Sequence, residues 1–353
     1  MPDHVPSQGH SPRRCLVSGG AGFIGSRLSN ILVSRGDHVT VVDDLSTGRR
    51  INLPEVHPRL RCIECDLARA LETELAGETF DQVYHLAAAV GVQLIIADPI
   101  ASIETNVAQA AAMLRFAAAC GPAGSPAPIL IASSSEVYGK SKRVPFSEDD
   151  DVEYGPTTKS RWSYAMSKAL DEYLALAYHQ KRGLPVVIAR FFNTIGPGQV
   201  GDYGMVVPRF IEKALAGEPL EVYGDGAQTR CFCDVRDVAG VLPRLLECPT
   251  AHGRVFNIGS DRTITIEQLA NLAIAVTGSK SSITRVRYTD AYAAGFEDLL
   301  KRGPDLTRIR EAVGFEPTIP LERTLADVAA WVRGGKGPPM EWPAEPVGPE
   351  SRR

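Results

Sequence analysis

The sequence predicts an α/β fold: a doubly wound parallel sheet with a smaller C-terminal lobe. Three observations carry this. From Arg14 to about Asn193, short apolar runs alternate with longer amphipathic stretches, the pattern of strands and crossover helices in a parallel sheet. A glycine-rich turn, Gly19 to Gly25, separates the first apolar run from the first amphipathic one. After Asn193 the alternation loosens and Pro and Gly punctuate more often, so a second, irregular lobe is expected there.

The elements follow in order. Arg14–Ser18 is a first strand, and Ser26–Arg35 has helical periodicity closed by Gly36, a good C-cap. His38–Val42, Leu60–Glu64 and Gln82–Leu86 are the next strands, and an Ala-rich helix covers Ser102–Ala119. Pro128–Ala132 is a fifth strand, followed by a serine-rich turn. Trp162–Lys181 is a second long helix and Pro185–Arg190 a sixth strand. In the second half Met205–Leu215, Asp237–Leu246 and Ile266–Thr277 read as helices, and Val255–Asn257 as a strand returning to the sheet. The division is a flexible tail at 1–13, a dinucleotide-type domain at 14–193, a second lobe at 194–335 and a flexible tail at 336–353.

Composition narrows the class. The 353 residues are 44% hydrophobic and 23% charged, ordinary for a globular chain with a substantial core. A net charge of -4 provides no global basic field, so neither nucleic acid nor an anionic membrane surface is the expected partner. No apolar run approaches the roughly 18 residues that a bilayer span needs. The polar start at Met1–Arg14 does not read as a secretory leader, so a cytoplasmic location is expected. Seven scattered cysteines argue against a disulfide framework. Cys62 and Cys65 form a C-x-x-C, but no second pair follows, so no metal site is expected.

The glycine turn is where chemistry enters. Gly19, Gly22 and Gly25 lie between a strand and a helix. Without side chains there, backbone can approach a pyrophosphate, and the helix start presents free N–H groups and a positive dipole end. A glycine motif alone is weak evidence. Here Asp43 closes the next strand, where a carboxylate accepts hydrogen bonds from both adenosine ribose hydroxyls. That carboxylate repels a 2'-phosphate, so the expected cofactor is NAD, with Arg49 and Arg50 as counter-evidence. Phe23, Ile24 and Asp44 complete this wall. Asp66 and Leu67 are expected at the adenine, and Leu86, Ala87, Ala88 and Asn106 along the rest of the cofactor.

Tyr164 and Lys168 lie four apart at the start of a helix, on one face. An ammonium near a phenol favours the phenolate and lowers its pKa from about 10. A phenolate can take the proton of a sugar hydroxyl while hydride leaves. Ser133-Ser134-Ser135-Glu136 follows the fifth strand, at the sheet edge where ligands bind in open α/β folds. Ser134 is the hydroxyl expected to bond the reacting oxygen. Alone, Y-x-x-x-K is also a common surface pair; the combination is what gives it weight.

Together these residues resemble the extended short-chain dehydrogenase/reductase superfamily, in its NAD-dependent nucleotide-sugar epimerase/dehydratase/decarboxylase branch. The marks are GGAGFIG at 19–25, VVDDLSTG at 41–48, YHLAA at 84–88, SSSEVYG at 133–139, YAMSK at 164–168, RFFNTIGPGQ at 190–199 and VYGDGAQTRCF at 222–232. They span about residues 14–333, and they specify the superfamily far better than the reaction. The resemblance implies a Rossmann domain, a sugar-nucleotide site between the lobes, and a homodimer through the helices at Ser102–Ala119 and Trp162–Lys181. It implies Asn193 at the diphosphate, Val207 and Arg209 beneath the nucleotide, Val222 and Tyr223 on the base, and Arg230 and Arg302 on phosphates.

The shared first step is oxidation at C4 of the sugar. Glu136 then discriminates, since simple 4-epimerases of this family usually lack an acid there, whereas dehydratases and UDP-glucuronate decarboxylases usually have one. An Asp-Glu pair is expected of one dehydratase type, and this chain has Ser135-Glu136. The Arg190–Phe232 stretch is most similar to UDP-glucuronate decarboxylases, while Val90-Gly91-Val92 and KSRWSYAMSK resemble UDP-glucuronate 4-epimerases. The expected reaction is decarboxylation of UDP-glucuronate, giving UDP-4-keto-pentose or UDP-xylose. A 4-epimerase, a 4,6-dehydratase and a non-catalytic NAD-binding protein are the other readings.

Overall fold

The computed structural model describes residues 11–88, 98–201, 205–287 and 301–343. Seven parallel strands form the central sheet: Arg14–Ser18 (β1), His38–Asp43 (β2), Leu60–Glu64 (β3), Gln82–His85 (β4), Ile129–Ser134 (β5), Val186–Phe191 (β6) and Arg254–Ile258 (β7). Their order is β7-β6-β5-β4-β1-β2-β3, the reversal about β1 that defines a doubly wound sheet. The central strands are buried on both faces, β5 and β6 being nearly continuous apolar runs, while the edge strand β3 is largely exposed.

The helices are Phe23–Ser34 (α1), Leu67–Glu72 (α2), Pro99–Ala117 (α3), Ser163–Arg182 (α4), Val206–Ala216 (α5), Val235–Leu246 (α6), Ile266–Thr277 (α7), Thr307–Val313 (α8) and Leu321–Arg333 (α9). Helix α1 starts three residues before the expected Ser26, because extended Gly22 serves as N-cap and the last glycine of the turn is already helical. Helix α3 likewise starts early, on Pro99, with the Asp98 side chain accepting from Ala101 N–H at 3.0 Å. Strand β5 runs two residues beyond Ala132, which places Ser134 at the strand tip.

Two cores cover the sheet. One joins Leu28, Leu32 and Val41 to Val238, Leu242, Ile309 and Phe315. The other joins Ile63, Val83 and Ile131 to Met113, Leu114 and Leu184. A third core, around Phe210, Ile211, Leu220, Leu269 and Leu325, belongs to the second lobe. The expected boundary at 193/194 is therefore interleaved: α6 and α8 pack back on the sheet, and α5, α7 and α9 build the lobe. The apolar stripe of α6 makes that choice, since it matches the face of α1.

The C-terminal tail also departs from expectation. Residues 336–343 are docked rather than frayed: Arg27 donates to Pro339 O at 2.6 Å, Asn30 to Glu341 O at 3.0 Å, and Trp342 packs on the first core. Lys336 pairs with Glu212 at 2.8 Å, so this short segment touches both lobes. At the other end, Arg13 N–H donates to Asp37 at 3.0 Å and its guanidinium pairs with Glu247. None of the seven cysteines is in a disulfide. Among the described residues no helix is long and apolar enough to cross a membrane, and no cluster of His, Cys, Asp or Glu is placed to hold a metal.

Candidate active site

Parallel register aligns Ser18 with Val42 and with His85, and Ser134 with Phe191. The tips of β1, β2, β4 and β5 therefore share one edge, where the predicted site residues gather. Gly19 turns there with φ +72°, and a Cβ on it would stand 2.7 Å from Ala87 N. Leu86-Ala87-Ala88 thus passes directly against the turn, which demands small residues on both sides. A Cβ on Gly25 would lie 2.1 Å from Gly19 O, so only glycine lets α1 start this close to β1. The first turn of α1 has no acidic side chain, and its leading N–H groups, at Phe23, Ile24 and Gly25, face outward as an anion site.

Asp43 stands beside this cradle. Its Oδ2 accepts from Ala21 N–H at 2.8 Å and its Oδ1 from Leu45 N–H at 2.9 Å. Burial raises its carboxyl above the ordinary value, and those N–H groups pull it back. A carboxylate oxygen has a second lone pair, which suits a ribose hydroxyl. Arg50, part of the counter-evidence, bonds the carbonyls of Leu53, Pro54 and Glu55 at 3.3, 3.0 and 3.3 Å, so its guanidinium is engaged in its own turn. These residues fit a dinucleotide: the cradle excludes side chains, and Asp43 is oriented before any ligand arrives.

The other residues expected at the cofactor lie as follows. Asp44 is exposed and closes a turn on Ser46 N and Oγ, at 2.9 and 2.6 Å. Asp66 is exposed and caps α2 through Arg69 N–H at 3.2 Å. Leu67 does not line an open face; as the first residue of α2 it points under the helix and is buried with Val42 and Ile63. Asn106 is buried on α3 and donates to Ser167 Oγ of α4 at 3.4 Å.

At the tip of β5 the Ser134 hydroxyl accepts from Glu136 N–H at 3.2 Å, and its side chain favours ionisation of the nearby Tyr164 phenol. Ser135 is buried beside them. Burial, with the Glu136 carboxylate next, holds the Tyr164 phenol well above its ordinary range, and the Ser134 side chain opposes this. The sequence leads one to expect Lys168 to lower it. Lys168 Nζ lies 3.2 Å from Asp171 Oδ2, both side chains almost fully buried, so a carboxylate three residues along the helix is a partner of the ammonium. His85, bonded through Nδ1 to Ser18 Oγ at 2.7 Å, is pushed down to about 3 by burial and by Lys168, so its imidazole is neutral.

Arg302 departs furthest from expectation. The resemblance assigns it to a phosphate, whereas its Nη2 lies 2.6 Å from Glu136 Oε1 with both side chains largely buried. The pair joins it to the turn after β5. No local sequence signal could place it there, because 166 residues separate the two.

The nucleotide side is mixed. Tyr223 lies on the exposed side of its strand, with the Arg209 guanidinium 4.7 Å over its ring and bonded to its hydroxyl at 2.6 Å. Val222 and Val207 do not face a base; both are in the lobe's core, Val222 because side chains alternate along the strand Leu220–Tyr223. Asn193 donates to Cys231 O at 3.0 Å, and Arg230 to Thr229 O at 2.8 Å. Val90-Gly91-Val92 lies outside the described residues.

Sequence reasoning missed the support beneath the serines. Glu172 accepts from Ser133 Oγ at 2.5 Å and from Arg190 Nε and Nη2 at 2.9 and 2.7 Å. Together with the 3.3 Å bond from Arg190 to Glu148 O, these contacts tie β5, α4 and β6 together. The signal available was Glu172 one helical turn beyond Lys168, on the buried face.

Comparison with known proteins agrees with this geometry. Residues 15–259 match the model of the NAD dependent epimerase/dehydratase family. The chain is 40% identical to a UDP-N-acetyl-alpha-D-glucosaminuronate decarboxylase of Bacillus cytotoxicus, over 91% of this chain and 98% of that one. It is 36% identical to UDP-glucuronic acid decarboxylase 4 of Arabidopsis thaliana, over 88% of this chain and 67% of that one. The structure of the Thermus thermophilus UDP-glucose 4-epimerase complex with NAD is similar, with a TM-score of 0.77, 27% identity and coverage of 91% and 99%. With its glycine cradle, its Asp43 and its Ser-Tyr-Lys cluster on one sheet edge, this chain belongs to the NAD dependent epimerase/dehydratase family.

Proposed function

We propose that this chain is an NAD-dependent UDP-hexuronate decarboxylase, with UDP-glucuronate as substrate. The observation that carries the reading is the buried Arg302–Glu136 pair beside the Ser134 and Tyr164 side chains. On this reading the guanidinium, a planar fork suited to carboxylates, acts on the C6 carboxylate of the substrate. The relatives named as decarboxylases support it.

The residues divide the work as follows. The α1 cradle and Asp43 hold the cofactor, which accepts the C4 hydride when bound. Tyr164 takes the proton of the C4 hydroxyl, and Ser134 holds that oxygen in line. The product is a β-keto acid. Its C5–C6 bond breaks and the electron pair passes to the C4 carbonyl as an enolate. Arg302 orients the carboxylate out of the sugar plane, and Ser135 with Glu136 positions the group or water that returns a proton to C5. Return of the hydride to C4 gives UDP-xylose; release before that gives UDP-4-keto-pentose. Tyr223 and Arg209 are placed for the base, and Asn193 and Arg230 for the diphosphate.

Incubation with UDP-glucuronate should give a product lighter by one carbon dioxide. A product of unchanged mass identified as UDP-galacturonate makes the chain a 4-epimerase, and water loss from a neutral hexose nucleotide makes it a dehydratase. A second substrate is favoured by the 40% identity to the decarboxylase named for UDP-N-acetyl-alpha-D-glucosaminuronate, so that uronate belongs in the same assay.

We further infer a homodimer through α3 and α4. Met166, Leu170 and Tyr173 form an i, i+4, i+7 stripe on α4, exposed by 44%, 50% and 69%, and Ile100 and Ile103 are exposed on the adjoining α3. Two such helix pairs can bury these side chains as a four-helix bundle.

A further inference from the structure

Tyr164, Lys168 and Asp171 fall on one face of α4, at spacings of four and three residues. The Lys168–Asp171 contact is 3.2 Å long, and the two side chains are 2% and 1% exposed. Asp171 Oδ1 is buried with no hydrogen-bond partner among the described residues. An acid kept in the interior with half of its hydrogen-bonding capacity unused is costly unless its charge has a task. The sheet-to-helix tie at this level is made by the neighbouring Glu172 with Arg190 and Ser133.

We propose that Asp171 is the positioning residue for Lys168, holding its ammonium back along α4 and so setting how much positive charge reaches the Tyr164 phenol. This rests on the reading of Tyr164 as the proton acceptor. The charged groups around the phenol are few. Glu136 faces it from the turn after β5, and Asp171 from its own helix. From β4 comes the neutral His85, which also senses Lys168. Glu172 neighbours Asp171 but is paired with Arg190 of β6. From α3 the described buried groups are Ser102 and Asn106, which carry no charge. The Asp171 carboxylate raises the phenol, and burial raises the Asp171 carboxyl in turn, opposed by Lys168.

The consequence is a brake on ionisation of the phenol. Neutralising Asp171 should make the phenol easier to ionise, by a smaller step than neutralising Glu136, the stronger of the two charges acting on it.

Asp171→Asn in the NAD-loaded protein tests this. Two readouts are needed: an ultraviolet difference titration of phenolate, with Tyr164→Phe as the blank, and the pH profile of kcat/KM for UDP-glucuronate. The expected result is that Tyr164 ionises at lower pH in Asp171→Asn, that the acid limb moves the same way, that KM changes little, and that Asp171→Glu restores both. Asp171→Ser serves where Asn disturbs the packing, since it leaves room for a water beside Lys168. An unmoved Tyr164 titration in a folded variant overturns the proposal. The titration uses no sugar, so it stands even where UDP-glucuronate is inert and the functional reading fails.

Discussion

Arg302 Nη2 and Glu136 Oε1 lie 2.6 Å apart, and this contact joins the segment before α8 to the tip of β5. Under the proposed function, this pair sets Arg302 to act at the reacting carbon. Arg302→Gln should lower kcat for carbon dioxide release by about 10²–10³, the usual effect of removing one preorganised donor. NADH formation on mixing should be affected less, because C4 oxidation precedes the step that Arg302 assists. Equal loss in both assays would place Arg302 in binding instead.

Tyr164→Phe should remove C4 oxidation, lowering the rate by about 10²–10⁴, with nucleotide binding by calorimetry nearly unchanged. The sign of the pH dependence follows from the direction of the shift. Burial and Glu136 raise the phenol, and only its ionised form accepts a proton, so activity should climb as pH rises through neutrality. Glu136→Gln should move that limb to lower pH in the NADH-formation assay.

Asp43→Asn should weaken NAD retention. A hydrogen bond to a charged group contributes about 1.5–3 kcal/mol, so affinity should fall about tenfold or more. Cofactor extracted from wild-type protein should be NAD(H). Recovery of mainly NADP(H) would contradict the role given to Asp43.

Glu172→Gln should destabilise the fold by about 3–5 kcal/mol, because it leaves the Arg190 guanidinium buried without a counter-charge. Chemical denaturation measures this. Replacing both partners, Glu172→Gln with Arg190→Met, should recover part of the loss; no recovery would mean that the pair acts only through packing.

Leu170→Glu combined with Tyr173→Glu should give a monomer by light scattering. Both side chains are exposed in the single chain, so the fold itself should tolerate the change, and a persistent dimer would move the interface elsewhere.

The doubly wound sheet was legible because it is written in short-range pattern. Apolar runs of strand length, glycines at a strand-to-helix turn and an acid at the tip of β2 are each decided by neighbours within a few residues. Element ends were read less well: Gly22 capping α1 and Pro99 opening α3 moved both starts upstream. The glycine turn and Ser134 lie on the same edge, since strand tips in a parallel sheet share it.

What the sequence by itself determined is the sheet, its cofactor edge and the presence of a Tyr/Lys pair, because periodicity and turn chemistry act locally. The tertiary structure alone decided two other matters: that Arg302 meets Glu136 and that 336–343 docks on α1. Each is a pairing of charged or polar groups. Such groups are removed from water only when the whole fold supplies a partner, and many partners at comparable distance along the chain would satisfy the same local pattern. Backbone propensity cannot choose among them; burial can.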